Sequence, residues 1–206
     1  MKKKIVILGS TGSIGRSLID IIKKDKKNFE IILLTAKKND KELIKQARLL
    51  KVKNLIITNE KSFSRLKEKK LHQRFTIYNS YKDLDKILKK KVDYVMNSIS
   101  GLEGLDPTLK IIRHTKKIAI ANKESIICGW NLIKKKLNFY NTEFIPIDSE
   151  HFSINELIKK TNHNNIQKIY ITASGGPFLK KKISYFKKIK VKNAIKHPNW
   201  QMGKKI

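Results

Sequence analysis

Asp148 and Glu150 stand one residue apart just after an apolar run, Glu143-Phe144-Ile145-Pro146-Ile147, with Ser149 between them and His151 following. In an extended segment, side chains two positions apart point to the same side, so this pair could grip one hard divalent cation through carboxylate oxygens. Mg²⁺ or Mn²⁺ suits that donor set, whereas zinc would want His or Cys ligands that the motif does not clearly supply. The same D-x-E spacing is common on solvated surfaces, and His151 suits a hydrogen-bonding or structural role as well as ligation. Placement favours the metal, because leaving unpaired carboxylates partly buried beside a core strand is costly. Two further polar clusters follow apolar runs in the same way: Asn122-Lys123-Glu124 after Lys117 to Ala121, and Ser174-Gly175-Gly176-Pro177-Phe178 after Ile169 to Ala173. The second offers a hydroxyl and two residues without side chains, the makings of an oxyanion or phosphate loop, or else a plain turn. Downstream, His197-Pro198-Asn199-Trp200-Gln201-Met202-Gly203 gathers an imidazole, an amide and an indole into one segment. Such a loop can close over a ligand and exclude water. The alternative is that Trp200 packs on the core and His197 is a cap.

A different chemistry is written at the N-terminus. An apolar run from Lys4 to Leu8 feeds into Gly9-Ser10-Thr11-Gly12-Ser13-Ile14-Gly15, and a helix is predicted from about Ser13 to Lys23. Glycines in such a turn let backbone approach a pyrophosphate, and the helix start offers unpaired N–H groups and the positive end of its dipole. The spacing, G-x-x-G-x-x-G, departs from the commoner G-x-G-x-x-G, so its position between a strand and a helix carries the signal. A second apolar run, Glu30 to Thr35, ends in Ala36-Lys37-Lys38-Asn39, where a site for NAD would place an acidic residue on the ribose hydroxyls. No carboxylate stands there. Two lysines would instead neutralise a 2′-phosphate, which argues for NADP, unless they are ordinary surface lysines in a lysine-rich chain.

Those polar clusters need a scaffold that brings them to one side. Strand-like runs at residues 54–58, 75–78, 93–97, 117–121 and 143–147 alternate with amphipathic helical segments, which predicts an α/β fold with a parallel sheet covered on both faces. Ligands in such sheets sit beyond the carboxyl ends of the strands. The expected organisation is a Rossmann-like nucleotide-binding domain over residues 1–147, followed over 148–206 by part of an α+β catalytic domain.

Composition excludes little by itself. The 206 residues hold 47 Lys and Arg against 17 Asp and Glu, a formal net charge of +30. Such a balance raises nucleic-acid binding. Yet the lysines are spread over nearly every segment among many isoleucines and asparagines, a pattern of base-composition bias rather than of one basic face. Clusters such as Lys134-Lys135-Lys136 fall near predicted helix ends, where cations favour the dipole and stay solvated. The positive field still attracts anionic metabolites. One cysteine, Cys128, cannot form an intramolecular disulfide, fits a reducing compartment, and is expected to be a small core residue. No apolar stretch approaches the roughly twenty residues of a membrane span, and no leader precedes the first strand, so a cytoplasmic location without membrane partners is expected.

Taken in order, Gly9 to Gly15, Ala121-Asn122-Lys123-Glu124-Ser125, Pro146-Ile147-Asp148-Ser149-Glu150-His151, Ser174 to Phe178 and His197 to Ile206 resemble the motifs of the 1-deoxy-D-xylulose 5-phosphate reductoisomerase family. The resemblance runs from end to end of the chain. It implies an oxidoreductase and isomerase that uses NADPH and Mg²⁺ or Mn²⁺ to convert 1-deoxy-D-xylulose 5-phosphate, a phosphorylated sugar, into 2-C-methyl-D-erythritol 4-phosphate for non-mevalonate isoprenoid synthesis. By motif, Thr11, Gly12, Ser13 and Ile14 would hold the pyrophosphate region, and Lys37, Lys38 and Asn39 the 2′-phosphate. Asn122, Glu124 and Gly203 would also contact the cofactor. Lys123, Ser149, Glu150, Ser174 and His197 would meet substrate, Asp148 and Glu150 would ligate the metal, and Lys123, Asp148, Glu150 and His197 would carry catalysis. The family pairs as a homodimer.

Two departures stand out. Lys37 occupies a position where the family often has glycine, and Phe152 one where a smaller or polar residue is usual. Family members also continue past the position of Ile206 into a serine-, asparagine- and lysine-bearing phosphate motif, a third metal-ligating glutamate and a helical domain. The expectation for residues 1–206 alone is thus an incomplete site that binds NADPH but turns over poorly or not at all. The alternatives are a catalytically silent NADPH-binding chain and a basic nucleic-acid-binding protein, which would leave the ordered polar clusters at strand ends unexplained.

Overall fold

The computed structural model describes residues 1–69, 71, 74–172 and 175–196. Its chain divides into two compact units, residues 1–155 and 156–206.

In the first unit, strands and helices alternate as the hydropathy pattern predicts. They are β1 (Lys3–Leu8), α1 (Ser13–Lys24), β2 (Phe29–Ala36), α2 (Asp40–Leu50), β3 (Asn54–Ile57), α3 (Glu60–Glu68), β4 (Thr76–Tyr78), α4 (Leu84–Ile87), β5 (Val92–Asn97), α5 (Leu105–Ile111), β6 (Thr115–Ile120), α6 (Lys123–Phe139), β7 (Glu143–Pro146) and α7 (Ser149–Ile158), which crosses into the second unit. The strands form a seven-stranded sheet in the order β4-β3-β2-β1-β5-β6-β7, and every pairing is parallel. Strand order reverses at β1, which lies between β2 and β5, so a crevice opens there at the carboxyl ends.

Side-chain alternation along the strands builds two cores, one on each face. Ile5 and Ile7 of β1 join Leu55 and Ile57 of β3 on the face covered by α1, α2 and α3, where Ile19, Ile22, Leu43 and Leu66 pack. Val6 and Leu8 point the other way with Leu33, Ile56 and Val95, and meet Ile111 of α5 and Ile133 and Leu137 of α6. Two-sided burial is why these strands read as continuous apolar runs rather than alternating ones. Pro146, which has no N–H to donate, closes β7 at the sheet edge, the position where its missing donor does least harm.

Helix caps explain several of the polar residues between elements. Asn39, Asn59 and Asn122 each accept an N–H three residues on, at 3.1, 3.1 and 3.2 Å, and so start α2, α3 and α6. The buried stripe of α6 is Ser125, Gly129, Ile133 and Leu137, four residues apart each time. Cys128 falls off that stripe and is exposed, contrary to the core position expected for it.

Among its described residues, the second unit holds a short helix, α8 (Val191–Ala194), a single 3₁₀ turn at His163–Asn165 and a six-residue 3₁₀ helix at Ile183–Lys188. The apolar run from Ile169 does not form the expected strand. Ile169, Tyr170 and Ile171 are exposed, and no described strand lies alongside to accept their backbone bonds. A β run without a neighbour has nothing to complete its ladder. No helix among the described residues is long and apolar enough to cross a membrane.

Candidate functional site

The crevice at the switch point is a cleft of about 270 Å³ walled by Gly9, Thr11 and Gly12 after β1, Thr35, Ala36 and Lys37 at the end of β2, and Ser98, Ile99 and Ser100 after β5. Its floor is set by backbone geometry. Gly9 has φ +75°, and a Cβ there would lie 2.9 Å from the Ser98 carbonyl oxygen, so glycine alone suits this position. Its N–H donates to Thr35 Oγ1 at 3.0 Å, and the Ser10 N–H donates to the Thr35 carbonyl at 2.8 Å, fastening the turn to β2. Ser10 itself is fully buried. Helix α1 then begins at Ser13 behind Gly12 with no side chain capping its first turn. Uncapped amide groups at the mouth of a cleft are an anion site in waiting.

Thr11, Gly12 and Lys37 line this cleft, and Ser13 and Ile14 open the helix beside it. Lys38 follows at the tip of β2. Asn39 uses its carbonyl oxygen for the α2 cap. Ser98, Ile99, Ser100 and Glu103 beyond β5, and Tyr81 before α4, all line the cleft and were not singled out from the sequence. The polar run after β5, Ser98-Ile99-Ser100, carried the same strand-end signal as the clusters that were singled out. Tyr81 shares a 2.9 Å hydrogen bond with Thr35 Oγ1. Desolvation of its hydroxyl pushes its pKa up to about 12, so it stays neutral at any physiological pH. Replacing Tyr81 by phenylalanine is expected to lower stability by about 1 kcal/mol, read as the urea midpoint, because the Thr35 hydroxyl then keeps only the Gly9 N–H as partner.

A second group gathers at the ends of β6 and β7. Lys123 begins α6 and Asp148 stands just before α7, and Lys123 Nζ lies 2.5 Å from Asp148 Oδ2. The other carboxylate oxygen, Oδ1, takes a 2.9 Å hydrogen bond from His151 Nδ1. The Lys123 ammonium first, and His151 second, hold the Asp148 carboxyl well below the usual carboxylate range. The same hydrogen bond raises Lys123 above its ordinary value. Beside them lies an apolar hollow of about 460 Å³ with Ile126, Trp130 and Phe144 in its wall, the two rings meeting edge to face at 5.5 Å.

The local backbone differs from the extended D-x-E expected. The strand ends at Pro146, and the Phe152 N–H donates to the Asp148 carbonyl at 2.7 Å, so Asp148 caps α7 while Glu150 sits in its first turn. Helical turn geometry therefore replaces same-side alternation. Glu150 accepts a 2.9 Å hydrogen bond from Ser149 Oγ. Two carboxylates at one helix start are hard oxygen donors, the right kind for Mg²⁺ or Mn²⁺. Among the described residues no set of three His, Cys, Asp or Glu side chains is arranged around one point.

Asn122 joins the two regions. Its side chain caps α6 and donates to the Ile99 carbonyl at 2.7 Å, so the residue that launches Lys123 is tied to a wall of the cleft. It is buried, whereas the neighbouring Glu124 is exposed. Gly104 makes room for it, since a Cβ there would come within 2.1 Å of Asn122 Nδ2. Ser174, His197 and Gly203 lie outside the described residues.

Comparison with known proteins agrees with this layout. Residues 5–129 match the family model described as 1-deoxy-D-xylulose 5-phosphate reductoisomerase, and residues 144–206 match that of its C-terminal domain. A 1-deoxy-D-xylulose 5-phosphate reductoisomerase of Pelagibacter ubique is 57% identical over 206 residues, which cover 99% of this chain and 53% of the relative. The Zymomonas mobilis enzyme, solved in complex with NADPH, superposes with a TM-score of 0.83 at 31% identity, covering 96% of this chain and 52% of that one. A reductoisomerase solved with NADPH, fosmidomycin and magnesium gives a TM-score of 0.84 at 32% identity, over 98% of this chain and 52% of the other. The chain thus spans about half the length of the relatives it matches. It belongs to the 1-deoxy-D-xylulose 5-phosphate reductoisomerase family.

Proposed function

We propose that this chain serves the NADPH-dependent isomerisation and reduction of 1-deoxy-D-xylulose 5-phosphate to 2-C-methyl-D-erythritol 4-phosphate, in the non-mevalonate isoprenoid pathway and in the cytoplasm. One observation carries the reading: a glycine-floored cleft at the switch point and the Lys123, Asp148 and His151 cluster open on the same carboxyl edge of one sheet, joined through Asn122. When bound, NADPH supplies the hydride and a divalent cation polarises the substrate oxygens.

The chain's own residues do the rest. Thr11, Gly12, Ser13 and Ile14 receive the pyrophosphate, with Lys37, Lys38 and Asn39 around the 2′-phosphate. Asn122 and Glu124 border the cofactor's path toward the second cluster, and Gly203 is assigned to its reactive end. Asp148 and Glu150 offer the oxygens for the cation. Lys123, freed from Asp148, brings positive charge to substrate oxygens, where charge develops during the rearrangement. Ser149, Ser174 and His197 are assigned to substrate contacts, and the homodimer of the family is proposed for this protein too. NADPH fluorescence followed during titration of the protein tests the reading: saturable binding that pyrophosphate displaces is expected, and no binding refutes it.

A further inference from the structure

Lys37 does not stand alone at the tip of β2. Its ammonium pairs with the carboxylate of Glu103, sixty-six residues on, which reaches over from the turn Leu102–Gly104 beyond β5. Both side chains line the nucleotide cleft, one from each wall, and both are more than half exposed, at 57% and 62%. The pair spans the cleft where the sequence places the adenosine ribose.

Two consequences follow from charge alone. A ligand with a 2′-phosphate must draw Lys37 away from Glu103 and then face the carboxylate as a like charge. A ligand with a free 2′-hydroxyl can instead donate to Glu103, which supplies from the opposite wall the carboxylate that the β2 tip lacks. We infer that Glu103 is a specificity-determining residue that penalises the 2′-phosphate and supports the ribose hydroxyls, so that this protein discriminates between NADPH and NADH less sharply than its paired lysines imply. The inference rests on the dinucleotide reading of the cleft.

Binding of NADPH and NADH to the unaltered protein, Glu103→Gln, Lys37→Met and the double variant tests it, by cofactor fluorescence at low ionic strength. Because the pair is exposed, its loss should leave the fold intact, which circular dichroism checks. Glu103→Gln should tighten NADPH by about three- to fivefold, the range of an exposed charge interaction, and weaken NADH by about twofold, so the preference moves by roughly six- to tenfold. In the Lys37→Met background the gain for NADPH should shrink, since Lys37 no longer needs releasing. A purely structural surface pair would leave the ratio of the two affinities unchanged. An unchanged ratio, or one that falls, overturns the role of Glu103. Failure of the unaltered protein to bind either nucleotide overturns the dinucleotide reading itself, and the inference with it.

Discussion

Replacing Gly15 by alanine is expected to destabilise the first unit by about 2–3 kcal/mol, the cost of forcing atoms into a closed contact. The added Cβ would sit 2.6 Å from both the Gly9 carbonyl oxygen and the Ser10 Cα, and all three of its nearest neighbours are backbone atoms that cannot rotate aside. Helix α1 would have to lift off the turn that fastens β1 to β2. Gly12 is the control. Its φ is −76° and a Cβ there would meet nothing nearer than the Gly9 oxygen at 3.4 Å, so Gly12→Ala should change stability by no more than about 0.5 kcal/mol. Since Gly12 lines the cleft, that variant should instead weaken NADPH. Urea unfolding and nucleotide titration of both proteins separate the two jobs: one glycine holds the helix down, the other leaves the wall open. Equal midpoints for Gly15→Ala and the unaltered protein would refute the close-packing account.

This division of labour also marks what residue order can disclose. The turn was legible because strand, glycines and helix are contiguous, and their spacing encodes local backbone contacts. The strand edges were legible because two-sided burial demands unbroken apolar runs, and the structure starts and stops β1, β3 and β7 within a residue or so of those runs. Ile169 to Thr172 has the same composition and forms no strand, because pairing depends on a neighbour that composition does not name. Asp148 and Glu150 were found as chemistry but given the wrong local geometry. An aspartate followed by serine and glutamate is also a helix start, and the hydrogen bond from Phe152 decides for it.

Glu103 shows a different limit. The absence of a carboxylate at the β2 tip was a correct local observation, yet the sheet folds one in from beyond β5. Only the parallel order β2-β1-β5 makes residues so distant in sequence face each other across one cleft.

The Lys123 and Asp148 pair sets the second large expectation. Oδ2 of Asp148 holds the Lys123 ammonium at 2.5 Å and Oδ1 a hydrogen bond from His151 at 2.9 Å, so a cation approaching Oδ2 meets a like charge on the same oxygen and must displace the lysine. Two substitutions should therefore act in opposite directions on Mn²⁺ affinity, read by electron paramagnetic resonance. Asp148→Asn should weaken it by more than about a hundredfold, beyond the 10- to 100-fold lost with an outer-shell partner. Lys123→Met should tighten it by roughly tenfold, the equivalent of about 1.4 kcal/mol and the order of one hydrogen bond to a charged group. Acid unfolding supplies an independent check. The folded carboxyl of Asp148 titrates below its unfolded value, so its stabilisation is complete above about pH 4 and is lost as pH falls toward the depressed folded value. Asp148→Asn should flatten that acid limb. If Lys123→Met instead weakened Mn²⁺, the lysine would be a support for the cation site rather than its competitor, and the displacement argument would fail.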